Sequence, residues 1–183
     1  LFTKEEGKIS IIVNGASKQK GNLFGVIEPP NIIQINYYQR KTGTLQTCKE
    51  AHFLSNHSLI KKDILKITIA LAIVEVIDKT LYENDVNIDV YNLADKTLGI
   101  LNNTFINPKL ILIFFLTNMT KFLGFMPDLK IEEDLIDQFS KDIGIVLKQL
   151  SEYNFDNLTE IDNMDINYID IIIFFENYIQ KHL

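Results

Sequence analysis

Hydrophobic and polar residues alternate with a period of two over the first part of the chain. Lys8-Ile9-Ser10-Ile11 alternates ahead of the turn-forming pair Asn14-Gly15, and residues 32–38 alternate again, with many β-branched and aromatic side chains. Pro29-Pro30 excludes a helix before that second stretch. Residues 41–48 fit a hairpin turn followed by its return strand. Short strands joined in this way predict a small barrel or sandwich.

After Asn56 the spacing changes to three and four residues, which is typical of helices. The first helix is predicted from Leu59 to Tyr82, and most of its surface is expected to be buried. Asn87 or Asp89 should cap a second helix that runs to about Asn103. The expected inward positions of the first helix are Leu59, Ile60, Ile64, Ile67, Leu71, Val74 and Ile77, and Ile69, Ala70 and Ile73 widen its apolar side. Those of the second helix are Val90, Leu93, Ala94, Thr97 and Leu101.

Two further helices have clear boundary signals. Asn107-Pro108 supplies a capping side chain and a first-turn proline, and Gly124 followed by Pro127 ends the same helix. The last helix is predicted over residues 166–182, with Ile169, Ile172, Ile173, Phe175 and Ile179 clustered. Residues 139–150 fit either a helix or a strand after a turn, and composition slightly favours the helix.

The charge is distributed unevenly along the chain. Residues 1–56 carry seven Lys/Arg against four Glu, a balance of +3, whereas residues 57–183 carry eleven against twenty Asp/Glu, a balance of −9. This asymmetry predicts two modules, 1–56 and 57–183, with different partners. Because an acidic surface repels polyanions, a nucleic acid should bind the first module. The hydrophobic content of 46% excludes a disordered chain.

Residue patterns for catalysis and metal binding are absent from the sequence. It contains no phosphate-binding glycine loop and no dinucleotide fingerprint, so no catalytic residue is assigned. His52 and His57 are expected to be surface histidines rather than a metal pair. Cys48, the single cysteine, excludes a disulfide framework and indicates a reducing compartment. The longest apolar run, residues 110–116, is far shorter than the ~20 residues of a membrane span. Tyr37-Tyr38 should place one ring in the core and leave the other able to stack on a base.

Several stretches resemble the bacterial recombination mediator family RecO. These are LFTKEEGKIS at residues 1–10, NGASKQK at 14–20, GVIEP at 25–29, FLGFMPDL at 122–129 and YIQKHL at 178–183. Together they cover essentially the whole chain in the family's order. The resemblance implies an α+β protein with an N-terminal OB-fold β-barrel and a following α-helical domain. It also implies that the first barrel strand precedes Leu1 and that a short tail follows Leu183.

Two departures from the family pattern change these expectations. Many RecO proteins carry a four-cysteine zinc site, but no cysteine lies beyond Cys48, so no metal or other cofactor is expected. FSKDIGIVL at residues 139–147 resembles part of that family insertion, which favours a hairpin over a helix there. The basic loop at residues 16–21 has one cation fewer than in the family, so weaker DNA binding is expected.

The resemblance implies a non-enzymatic DNA repair function in the bacterial cytoplasm, associated with the nucleoid and not with a membrane. RecO proteins bind single- and double-stranded DNA, anneal strands coated with single-strand-binding protein, and act with RecR to load RecA. An OB-fold binds strands through cations and stacking aromatics. The candidate phosphate contacts are Lys18, Lys20, Arg40 and Lys41, with Lys4 and Lys8 behind them, and the candidate stacking residues are Tyr37, Tyr38 and Phe24.

A protein-interaction adaptor with little DNA binding is the main alternative. The acidic helical module would then bind partner proteins through exposed apolar residues. A small-molecule-binding or enzymatic OB protein would require clustered polar groups that the sequence does not show. Salt dependence separates the first two hypotheses, because DNA binding weakens steeply with salt and apolar binding does not.

Overall fold

The computed structural model describes residues 1–14, 23–39, 45–127, 141–152 and 154–182. The chain forms two compact units, residues 1–102 and residues 103–183. It is a mixed α and β structure, with all described strands before residue 56 and long helices after it. No helix among the described residues is long and apolar enough to cross a membrane.

Two small sheets occupy the start of the first unit. β1 (Phe2–Thr3) pairs antiparallel with β2 (Gly7–Lys8). A three-stranded sheet has the order β3-β5-β4, from Ser10–Ile12, Leu45–Ser55 and Ile32–Tyr38 respectively. β3 is parallel and β4 antiparallel to β5, which confirms the predicted return strand. The described strands alone do not form a closed barrel, and the predicted turn at residues 41–44 lies outside the described residues.

The first β-hairpin packs against the segment that joins two helices of the same unit. These helices are α2 (Ile64–Thr80) and α3 (Ile88–Asn103). Lys8 forms a parallel bridge with Glu83, and its carbonyl accepts a hydrogen bond of 2.8 Å from Asn84 N. The Ser10 hydroxyl donates to the Glu83 carboxylate at 2.6 Å. The strands therefore share one compact unit with α2 and α3.

Short helical segments flank these elements. α1 (Leu23–Ile27) precedes β4 and was not expected from the sequence, and a 3₁₀ turn covers Ile60–Lys62. Asp63 caps α2, because its carboxylate accepts hydrogen bonds from two amide groups of the first turn. Asn87 Oδ1 accepts a hydrogen bond from Val90 N at 3.0 Å, which confirms Asn87 as the cap of α3.

The buried face of α2 differs from the predicted one. Of the seven expected inward positions only Ile60, in the 3₁₀ turn, and Ile77 are buried, whereas Leu59, Ile64, Leu71 and Val74 are exposed. The core side of α2 consists of Ile69, Ala70, Ile73 and Ile77. The expectation that most of this helix is buried was wrong, because α2 has apolar residues on both sides and spacing alone does not select one. All five inward positions of α3 are confirmed as buried.

The second unit is helical throughout its described residues. Its helices are α4 (Pro108–Phe122), α5 (Lys141–Ser151), α6 (Asn157–Asp162) and α7 (Tyr168–His182). Eleven consecutive residues of α4, 110–120, are buried, and α4 contacts α5, α6 and α7. Asn107 caps α4 and Gly124, with φ of +80°, follows its end, as predicted. α5 confirms the helical interpretation of residues 141–150, and the hairpin was wrong there.

Two further predictions need correction. On α7 the buried residues are Ile171, Phe175 and Ile179, while Ile169 and Ile173 are about half exposed.

His57 is not a surface histidine. It is 4% exposed, its Nδ1 lies 2.8 Å from the Pro30 carbonyl oxygen, and its φ is +41°. This backbone position turns the chain from β5 into the 3₁₀ turn and places the imidazole against the Pro30 carbonyl.

Candidate nucleic-acid interface

The three-stranded sheet has one face that remains accessible to solvent. Side chains alternate along β4, so Ile33, Ile35 and Tyr37 are partly buried while Gln34, Asn36 and Tyr38 are exposed. Cross-strand partners point to the same side of a sheet, which adds residues from the neighbouring strands. We call this surface the open face; it consists of Ile12, Gln34, Asn36, Tyr38, Thr47, Glu50 and His52.

The tyrosine pair is divided between the two faces, as the alternation predicted, but the prediction of a core ring was wrong, because Tyr37 is only partly buried. Tyr38 is 60% exposed on the open face. Tyr37 lies on the opposite face, and its hydroxyl donates a hydrogen bond to the Glu6 carboxylate. That hydrogen bond is the main reason why the pKa of Tyr37 rises to about 12, since ionisation would place two anions together. Tyr38 is therefore the tyrosine available to a ligand on the open face.

One row of the sheet connects Tyr38 to the two basic segments. Tyr38 pairs with Thr47, and Thr47 pairs with Ile12 on its other side. Residues 40–44 follow closely after Tyr38, and residues 15–22 follow closely after Ile12. These two segments contain four of the seven cations of residues 1–56 and no anion. The positive charge of the strand region is therefore concentrated in the two segments that leave this row.

Several predicted contacts lie outside the described residues. Lys18, Lys20, Arg40 and Lys41 belong to the two basic segments, and the side chain of Phe24 is likewise not described. Lys4 is exposed in the turn between β1 and β2. The interactions of Lys8 are internal: its Nζ donates to the Asp78 carbonyl at 2.5 Å and lies 3.4 Å from the Asp78 carboxylate. Lys8 thereby ties β2 to α2.

Polar residues that sequence analysis did not assign to the interface complete the open face. Asn36 Nδ2 donates to Glu50 Oε1 at 2.6 Å, and His52 Nε2 lies 3.9 Å from Glu50 Oε2. The hydrogen bond from Asn36 is the main cause that lowers the pKa of Glu50. The polar members of the alternating run, Gln34 and Asn36, were the available signal. Their pairing with Glu50 and His52 required the register of β5.

The described residues hold no candidate metal centre. No group of three or more His, Cys, Asp or Glu side chains in the described ranges is placed to bind an ion. Cys48 is half-buried in β5 opposite Tyr37, and burial raises the pKa of its thiol. With one cysteine in the chain, a four-cysteine zinc site does not fit this sequence.

Comparison with known proteins gives consistent matches to one family. The family described as recombination protein O N terminal matches residues 1–57, and recombination protein O C terminal matches residues 61–132. Curated relatives named DNA repair protein RecO include one from Pelodictyon phaeoclathratiforme, 25% identical over 71% of this chain and 50% of its own length. Another, from Flavobacterium psychrophilum, is 30% identical over 70% of this chain and 54% of its own length.

A third relative of the same name, from Salinibacter ruber, is 29% identical over 56% of this chain and 39% of its own length. The chain thus spans about half the length of the curated relatives it matches. The two family matches follow each other in order and meet between the end of β5 and α2. On these matches, the chain belongs to the RecO family.

Proposed function

We propose that this chain binds single- and double-stranded DNA without recognising a particular sequence. We propose that it takes part in DNA repair and recombination of the RecO type. The observation that carries the proposal is the exposed Tyr38 on the open face, close in sequence to two segments that contain cations and no anion. Cations in such segments attract phosphates, while an exposed aromatic ring stacks on unpaired bases. The strands fit part of an OB-fold, in which this kind of sheet face binds single strands.

The proposed function is that of a mediator, which binds DNA strands, rather than that of an enzyme. Annealing requires that two strands are held and released, without forming or breaking covalent bonds in the protein. Contacts to phosphates serve single- and double-stranded DNA alike, whereas stacking requires an unpaired base. We propose that RecR, single-strand-binding protein and, indirectly, RecA are the partners in a cytoplasmic, nucleoid-associated complex, as the relatives' family implies.

Fluorescence anisotropy with a labelled oligo-dT strand, from low to moderate salt, tests the proposal. Lys18→Ala/Lys20→Ala should weaken binding and reduce the slope of log K against log salt by about 1.4, because each phosphate contact on a single strand contributes about 0.7. Tyr38→Ala should weaken binding by about fivefold or more, as expected for one lost stacking contact. Tyr37→Phe is the matched control, since its ring lies on the other face, and should bind like the wild type.

A protein-interaction adaptor remains the second candidate, and one observation favours it. α2 exposes Ile64 at 83% and Leu71 at 44%, so an apolar strip of this helix faces solvent. If the wild type shows no salt-sensitive binding to single- or double-stranded DNA even at low salt, the DNA-binding proposal is wrong. The adaptor then becomes the leading function.

A further inference from the structure

The open face carries an oriented carboxylate close to its exposed aromatic ring. Glu50 and Asn36 are cross-strand partners, and the 2.6 Å hydrogen bond from Asn36 holds Oε1 of Glu50. Asn36 and Tyr38 are two residues apart on one strand, so their side chains leave the same face about 7 Å apart. The Glu50 side chain is 45% exposed, which leaves its oxygens accessible to a ligand.

A carboxylate at this position has a specific chemical consequence for a bound strand. It repels phosphates, so the backbone of a bound strand should lie away from Glu50 and leave that region to the bases. A carboxylate accepts hydrogen bonds and donates none. Cytosine presents an amino group at N4, and Asp or Glu accepts from that group, whereas thymine presents a carbonyl oxygen at the same position. A base stacked on Tyr38 would therefore meet an acceptor suited to cytosine.

We propose that Glu50, oriented by Asn36, makes the open face select cytosine over thymine. This inference rests on the proposed DNA-binding function and adds base preference to it. The lowered pKa of Glu50 supports it, because the carboxylate remains an acceptor at neutral pH. Tyr38 supplies stacking to any base, and Glu50 then discriminates among the stacked bases at their edges.

The test compares the affinities of oligo-dC and oligo-dT of equal length, by competition at pH 8, where cytosine is neutral. The wild type should favour oligo-dC by about fivefold per contacted base, the value of one net hydrogen bond. Glu50→Gln, which can both donate and accept, should bring the ratio to about one. Glu75→Gln removes the same charge from α2, where Glu75 pairs with Lys79 of the same helix, and should leave the ratio unchanged.

A second variant separates orientation from charge. Asn36→Ala retains the Glu50 carboxylate but removes the hydrogen bond that holds it, so the preference should fall while the charge of the protein stays the same. Equal binding of both strands by the wild type would overturn this inference and leave the DNA-binding function intact. Equal effects of Glu50→Gln and Glu75→Gln on the ratio would also overturn it. Failure to bind either strand would instead refute the proposed function, and this inference with it.

Discussion

At Gly7 the first β-hairpin lies directly against the segment that joins α2 and α3. Its φ is +69°, a left-handed conformation that other residues rarely adopt, and a Cβ built there would lie 2.2 Å from the Asp85 carbonyl oxygen. Backbone, not a flexible side chain, occupies that space. Sequence analysis made no prediction for Gly7, and only the structure shows that this glycine lies against a neighbouring chain segment.

Gly7→Ala should therefore destabilise the protein by about 2–4 kcal/mol, from left-handed strain and the displaced Asp85 backbone. Urea unfolding followed by circular dichroism measures the change. Gly99→Ala, inside α3, is the matched control: a Cβ there meets no atom within 4 Å, and alanine should stabilise the helix by up to about 1 kcal/mol. Equal effects of the two substitutions would show that the β-hairpin does not pack against Asp85 in solution.

Residue patterns predicted part of the open face and missed the rest for a physical reason. The period-two alternation of β4 separated Tyr37 from Tyr38 correctly, because side-chain direction in a strand is a local property. The Asn36–Glu50 pair depends on register, which shifts by one residue between Asn36 and Tyr37. A sequence that indicates two strands does not show such a bulge, so Glu50 was not identified as a site residue.

At the scale of elements, the ends of α4 were easier to predict than helix faces, whereas α2 begins at Ile64 and not at the predicted Leu59. Asn107, Pro108 and Gly124 define the limits of α4 through backbone geometry and hydrogen bonds within a few residues. The buried sides of α2 and α7 depend instead on which elements pack against them. Ile64 and Ile169 fit an apolar stripe equally well by spacing, yet both are exposed.

The cap of α2 offers a prediction at this scale. Asp63 accepts hydrogen bonds from Leu65 N at 2.9 Å and Lys66 N at 3.1 Å, so Asp63→Ala leaves both amides unpaired by a side chain. The free energy of unfolding should fall by about 1 kcal/mol. Asp63→Asn keeps an acceptor oxygen and should retain most of the stability. Thermal unfolding of the three proteins in parallel would check this, and an equal loss in both variants would assign the effect to charge rather than to capping.

At the scale of the whole molecule, two short segments carry cations without any anion. Residues 15–22 and 40–44 contain four of the 18 Lys/Arg, while the chain as a whole has a net charge of −6. An acidic protein that binds DNA should do so only where cations are concentrated, and its affinity should fall quickly as salt screens them. The division into modules at residues 56 and 57 fits this distribution and stays a prediction.

Two fragments would test how far the strand region folds independently. Residues 1–56 lack the partners of the first β-hairpin, Asp78 and Glu83, and the buried side of α2, whereas residues 1–103 retain them and keep α3 whole. A 56-residue piece also buries too little surface to be more than marginally stable. We expect cooperative urea unfolding of residues 1–103 and a gradual, non-cooperative change for residues 1–56. Cooperative unfolding of the shorter fragment would establish that the strands form an autonomous module. The hydrogen bonds to Asp78, Glu83 and Asn84 would then belong to an interface between two modules and not to one shared core.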